Sequence, residues 1–260
     1  MSPRRIRPGH LPPRPASSPV RTAGAASTVG ALGAAGVMAL LENGSVRSSV
    51  KRVGRVARID CHRVVAECAV MDTDTFWDVI EAAQAGAAET GERFDEVLVK
   101  QLADRPRQEI LEYAERFDEL HDALYRWDVW AAAYLIGGGC SDDSFMDFRA
   151  GVIALGCQWY QRVATDPDSL AGHPDVVQAA NVRDRSEVLF YEDVNYAASG
   201  AFERITGDAD AFYEAWHGFR GAAAESVNVV DMGEDFDFDD DKEMRRRLPR
   251  LAALFLGLNP

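Results

Sequence analysis

From Met71 onward, apolar residues recur every three or four positions with almost no strand-like alternation. That period confines the chain to amphipathic helices burying one face against each other. Phe76, Ile80 and Ala83 share a face after Thr73 or Asp74, either of which is suited to cap the helix. Phe94, Val97, Leu98 and Leu102 follow. Asp104 and Pro106 then mark a stop and a capped restart, after which Ile110, Ala114, Phe117, Leu120 and Leu124 keep the spacing. Beyond Gly137, Gly138 and Gly139, the residues Phe145, Phe148, Val152, Leu155, Trp159 and Val163 read as one helix. Another is expected from Ser186 through Val188, Tyr191, Val194, Ala198, Ala201 and Ile205 to Gly207, and a last one around Phe212, Trp216 and Phe219. The short candidate strand is Glu225 to Met232. The expected fold is all-α (mainly helical), a single compact domain of about seven helices.

The text before Met71 is different. Residues 1–70 hold eleven Lys and Arg against three Asp and Glu, whereas the whole chain of 260 residues has a net charge of −14. Rich in Arg, Pro and Ala, this part offers little to bury and is expected to be a disordered basic extension, or upstream sequence translated from a misplaced start. Its uncharged run, residues 22–41, has the length of a membrane span, but Ala, Gly, Ser and Thr dominate it, so a membrane attachment is not expected. Cys61, His62 and Cys68 lack the second pair that a zinc site needs. With Cys140 and Cys157 the only other cysteines, a reduced, cytoplasmic setting is expected. The helical domain is read as residues 71–232, followed by 233–260, an acidic tail with a short C-terminal helix in which Leu251, Leu254, Phe255 and Leu256 dock on the body.

Chemistry concentrates in "GGGCSDDSFMDFR", residues 137–149. One reading is architectural: a glycine ends one helix in the left-handed region, Ser141 or Asp142 caps the next, Asp142 and Asp143 favour its N-terminal half-charge, and Cys140 is a small apolar group. The functional reading takes Cys140, Ser141, Asp142, Asp143 and Arg149 as a hydrolase or transferase site. A helix N-terminus lowers a thiol pKa, but the nucleophile needs a base, and His121, His173 and His217 are the candidates. Arg149 lies two helical turns after Asp142, so the two are expected on one face as a salt bridge or binding point. Phosphate-loop, GxSxG, HExxH and paired CxxC patterns are absent, the acidic tail lacks the spacing of a calcium loop, and no cofactor or metal is expected.

The stretch "WDVWAAAYLIGGGCSDDSFMDFRAGVIALG", Trp127 to Gly156, resembles a bacterial family, frequent in actinomycetes, known as domain of unknown function 4240. The resemblance runs from "FWDVIE", Phe76 to Glu81, to the helix near residue 196, and the closing "DFDFDDDKEMRRRLPRL" is similar as well. It implies a cytoplasmic bacterial protein whose domain begins near Met71, and it brings no activity with it. One departure stands out: a tryptophan is expected after the arginine, where this chain has Ala150-Gly151. The leading expectation is a non-catalytic interaction or regulatory module. Its acidity favours a basic protein partner over nucleic acid or an anionic membrane, and nothing in the pattern specifies an oligomeric state.

Overall fold

The computed structural model describes residues 71–182, 185, 187–221 and 231–257. The basic extension, the run 22–41, Cys61, His62 and Cys68 lie outside the described residues, as does most of the candidate strand at 225–232. Eleven α-helices and two 3-10 segments make up the described residues, with no strand among them. The all-helical expectation holds, with more and shorter helices than the periodicity suggested.

Met71 anchors the start of this body. It is buried, its backbone N–H donates to Glu112 at 3.1 Å, and its carbonyl accepts from Arg116 at 3.2 Å. Helix α1 (Thr73–Thr90) is capped by Asp72, whose carboxylate accepts from the Thr75 N–H at 2.7 Å. The cap falls one or two residues earlier than expected, because Asp72 is the last residue with extended backbone. The apolar stripe of α1 lies against α2 (Phe94–Ala103) and α3 (Arg107–Ala123), and Phe76 stacks on Tyr113 at 5.0 Å. Between α2 and α3, Asp104 closes the first helix and Pro106 occupies the cap of the second, with no side-chain cap bond.

Helix α4 (Trp127–Gly137) is the most apolar and is buried along most of its length. The expected long helix after the glycines is two, α5 (Asp142–Ala154) and α6 (Cys157–Thr165). Gly156, at φ 87°, turns the chain between them, and Gln84 of α1 donates to the Ala154 carbonyl at the break. A 3-10 segment (Pro167–Gly172) and α7 (Pro174–Ala179) follow.

The helix expected from Ser186 to Gly207 forms only in its second half. Residues 187–191 are irregular, a 3-10 segment covers Glu192–Tyr196, and α8 (Ala197–Thr206) begins there. The cause is a crossing: Leu189, at φ 65°, lies directly over Gly151 of α5, and the Tyr191 N–H donates to the Asp147 carbonyl at 3.1 Å. Helix α8 packs on α2 and α3, and α9 (Ala211–Arg220) lies beside α8.

The C-terminal part returns across the body. The Met232 carbonyl accepts from the Trp127 N–H, and Phe238 packs edge-on against Trp127 and near Tyr134. Helices α10 (Asp241–Arg247) and α11 (Pro249–Phe255) follow, and Leu251 and Ala252 are fully buried. The N-terminus of α11 is held by a carboxylate far away in sequence. Asp168, buried, accepts from the Arg250 and Leu251 N–H groups at 3.0 and 2.8 Å and from the Arg250 guanidinium at 3.0 Å.

Candidate functional site

The segment 137–149 satisfies its own backbone. Gly138, at φ 74°, ends α4, and the Gly139 N–H returns to the Tyr134 carbonyl at 2.9 Å. Ser141 caps α5 by accepting from the Ser144 N–H at 3.2 Å, and Asp142 and Asp143 occupy the exposed first turn. Cys140 packs against the core with its carbonyl accepting from the Trp130 indole at 3.2 Å, and burial pushes its thiol up to about 12. A thiol so placed stays protonated near neutrality, opposite to the activated cysteine that a helix N-terminus can create.

Each candidate base is engaged elsewhere or set apart. His121, in the last turn of α3, is buried and within 2.9 Å of the Met146 carbonyl; burial, and then the charge of Arg149, hold its imidazole down to about 3. His173 caps α7, with Nδ1 3.3 Å from the Asp175 N–H and its ring edge-on to Trp159. His217 is exposed on α9.

The expected Asp142–Arg149 pair does not form. Asp142 is exposed at the outer end of α5, whereas Arg149 is buried where the helix has entered the core. Its guanidinium lies 4.8 Å from the Tyr125 ring and 5.0 Å from the Phe145 ring, and it donates to the His121 carbonyl at 3.0 Å. That carbonyl belongs to the last turn of α3, where orphan acceptors and the negative end of the helix dipole favour a cation. Arg149 is thus held at a helix terminus, with the Asp122 charge also favouring its cationic form. Burial lowers its pKa to about 10, so it remains charged at neutral pH.

A concave site lies on another face. Tyr113, Phe117 and Asp118 of α3, Asn195, Tyr196 and Ser199 around the start of α8, and Phe212, Tyr213 and Trp216 of α9 line a groove of about 190 Å³. This is smaller than the ~300–1,000 Å³ of small-molecule and cofactor sites, so its size suits a side chain. Phe212 and Trp216 stack at 5.8 Å in its wall. Tyr113 is buried, and its hydroxyl has no hydrogen-bond partner among the described residues. Tyr196 and Tyr213 are about half exposed, at 48% and 49%. At one edge Arg220 sits 5.3 Å from the Trp216 ring and pairs with Glu115 at 3.2 Å and Asp118 at 3.5 Å.

Carboxylates gather beside Tyr196. Asp147 of α5 accepts from the Asn195 amide at 3.0 Å. Burial, followed by the charges of Glu192, Asp143 and Asp193, pushes its carboxyl up to about 6, against the Asn195 bond. The Tyr196 phenol is raised in turn by burial and then by Glu192, Asp147, Tyr213 and Asp143. Among the described residues, no group of three His, Cys, Asp or Glu side chains is placed to hold a metal.

Sequence reasoning placed the candidate site at 137–149 and missed this groove. Phe117, Phe212 and Trp216 read as core positions by their spacing, which they also are. A second groove, of about 310 Å³ and lined in part by Asp175, Val182, Glu187 and Tyr191, borders residues outside the described set.

Fold and groove together define an all-helical domain with a small aromatic recess and an acidic margin. The sequence profile of the family described as "Protein of unknown function (DUF4240)" matches residues 71–204, just over half of the chain, and the chain belongs to that family. No curated protein and no solved structure matches it. The matched region supplies the groove walls from α3 and the start of α8; α9 lies beyond it.

Proposed function

We propose that this protein is a non-catalytic helical interaction module, acting in the cytoplasm, that receives a basic protein partner at the groove between α3, α8 and α9. The observation carrying the reading is the pairing of buried aromatic walls and two half-exposed tyrosines with Asp118 in the lining and Asp147 bonded to Asn195 beside it. Interfaces rely on aromatic anchors in desolvated recesses, with charge around them steering the approach. The chain's net charge of −14 repels polyanions and attracts basic proteins. Among the described residues, no helix is long and apolar enough to cross a membrane.

The competing reading, a hydrolase or transferase using Cys140, Ser141, Asp142, Asp143 and Arg149, finds less support. The thiol is held protonated, Arg149 is committed to the α3 terminus, and His121 to the Met146 carbonyl. The test is a titration of immobilised full-length chain with purified proteins of isoelectric point above about 9 and with acidic proteins of equal size. Saturable binding confined to basic proteins is expected, and equal binding of acidic ones would contradict it.

A further inference from the structure

We propose that the mouth of the groove seats an arginine side chain carried on an extended segment of the basic partner, an inference that rests on the interaction reading above. Tyr196, at the end of the 3-10 segment, and Tyr213, on α9, both line the groove. Half-exposed aromatic faces in an acidic field attract a cation through the ring quadrupole. Asp147 is held to this side by the Asn195 amide at 3.0 Å, Glu192 shares the 3-10 segment with Tyr196, and with Asp143 they supply that field.

Charge complementarity at this mouth is incomplete among the described residues. Asp193 is engaged by Arg93, and Glu115 with Asp118 by Arg220. Neither Asp143 nor Glu192 forms an ion pair among the described residues. The Arg220 arrangement shows what would complete it. There a guanidinium lies by the Trp216 ring and is held by two carboxylates of α3. Beside Tyr196 the same ingredients recur, aromatic faces near carboxylates, and among the described residues no ion pair engages Asp143 or Glu192 there.

Arginine fits better than lysine. Its planar guanidinium stacks on a ring face and still presents donors in the plane to carboxylates, whereas an ammonium is a compact, strongly hydrated charge. Next to the seat, the recess lined by Phe117, Phe212 and Trp216 has room for an apolar side chain beside the arginine. Nucleic acid and anionic lipid present the wrong sign to this mouth.

The test is an NMR titration of isotope-labelled full-length chain with two acetylated tetrapeptides. One is Ala-Phe-Arg-Ala; the other carries citrulline, the uncharged isostere, in place of arginine. The arginine peptide is expected to shift the Tyr196, Ser199 and Tyr213 amides and the Trp216 indole saturably. The citrulline peptide should bind about 10-fold more weakly or less, the scale of one cation–π contact. Asp143→Asn combined with Glu192→Gln, both exposed positions, should weaken only the arginine peptide. Equal binding of the two peptides at these resonances, or no effect of the double variant, would overturn the arginine seat and leave the groove as an interaction site. Absence of saturable shifts at the groove from either peptide would overturn both.

Discussion

A Cβ added to Gly151 would lie 1.9 Å from the carbonyl oxygen of Leu189. No side chain fits there, and the contact joins two departures from local preference. Gly151 is a glycine inside a helix, where alanine is favoured by ~1 kcal/mol. Leu189 is the one non-glycine residue with positive φ among the described residues, which costs of order 1 kcal/mol or more. Both are tolerated because the 187–191 crossing brings its backbone onto α5. Gly151→Ala is therefore predicted to destabilise the protein by about 3 kcal/mol despite its better helix propensity, since the obstacle is backbone. Chemical denaturation would read this, and a neutral or stabilising result would contradict the crossing.

The Asp168 carboxylate fastens the C-terminal helices to the body. Asp168→Ala leaves the Arg250 and Leu251 N–H groups at the start of α11 without their acceptor. The expected cost is about 2–3 kcal/mol, because Arg250 is exposed enough to recover water. Hydrogen exchange should accelerate in 249–255 before the rest of the body. Uniform acceleration, or none, would show that Asp168 does not act there.

Stability should fall as pH drops below about 6.5. His121 titrates near 6.5 when unfolded and at about 3 when folded, so between those values the unfolded chain binds the extra proton. Asp147 has the opposite sign: its folded value of about 6 exceeds the unfolded ~3.9, so its contribution is lost as pH rises through about 6. The His121 effect dominates because that imidazole is buried, whereas Asp147 is partly exposed and screened. His121→Gln, able to keep a donor for the Met146 carbonyl, should flatten the acid limb. Asp147→Asn, relieved of Asp143, Glu192 and Asp193, should stabilise at pH 7 by up to about 1 kcal/mol. Denaturation midpoints from pH 4 to 8 check both signs.

If segment 137–149 is architecture, Ser141→Ala should cost ~1 kcal/mol through the lost cap. Asp142→Ala and Asp143→Ala should each cost a few tenths through the helix dipole. Cys140 should alkylate far more slowly than a small thiol at pH 8, given its value of about 12. Rapid modification of Cys140, or unchanged stability in Ser141→Ala, would return this segment to the list of active sites.

The helices that could be read from the sequence were those whose partners are local. The spacing of Ile110, Ala114 and Phe117, and the glycine and serine around Cys140, carry their own signals, and all three apolar positions are buried. Gly156 was hidden because Leu155 and Trp159 preserve the helical period across a break. The 187–191 segment was hidden because its shape is imposed by Gly151, nearly forty residues earlier. Arg149 was matched with Asp142 on its own helix, while its acceptor is a carbonyl of α3, 28 residues away. The groove was least legible, since its walls come from three separated helical stretches that each read as core. Only the exposed Tyr196 and Tyr213 set it apart, and exposure is a property of the fold.

On the proposal above, partner binding resides in the groove and not in the glycine-rich segment. The most direct measurement compares the affinity of wild type, Ser199→Phe and Ser141→Ala for one basic protein that wild type binds, after thermal melts show that each variant is folded. Ser199 lines the groove, so a phenylalanine there should fill it and weaken binding at least ~10-fold, a loss of about 1.4 kcal/mol, while Ser141→Ala binds as wild type. Full binding by Ser199→Phe together with loss in Ser141→Ala would place the partner at residues 137–149 instead.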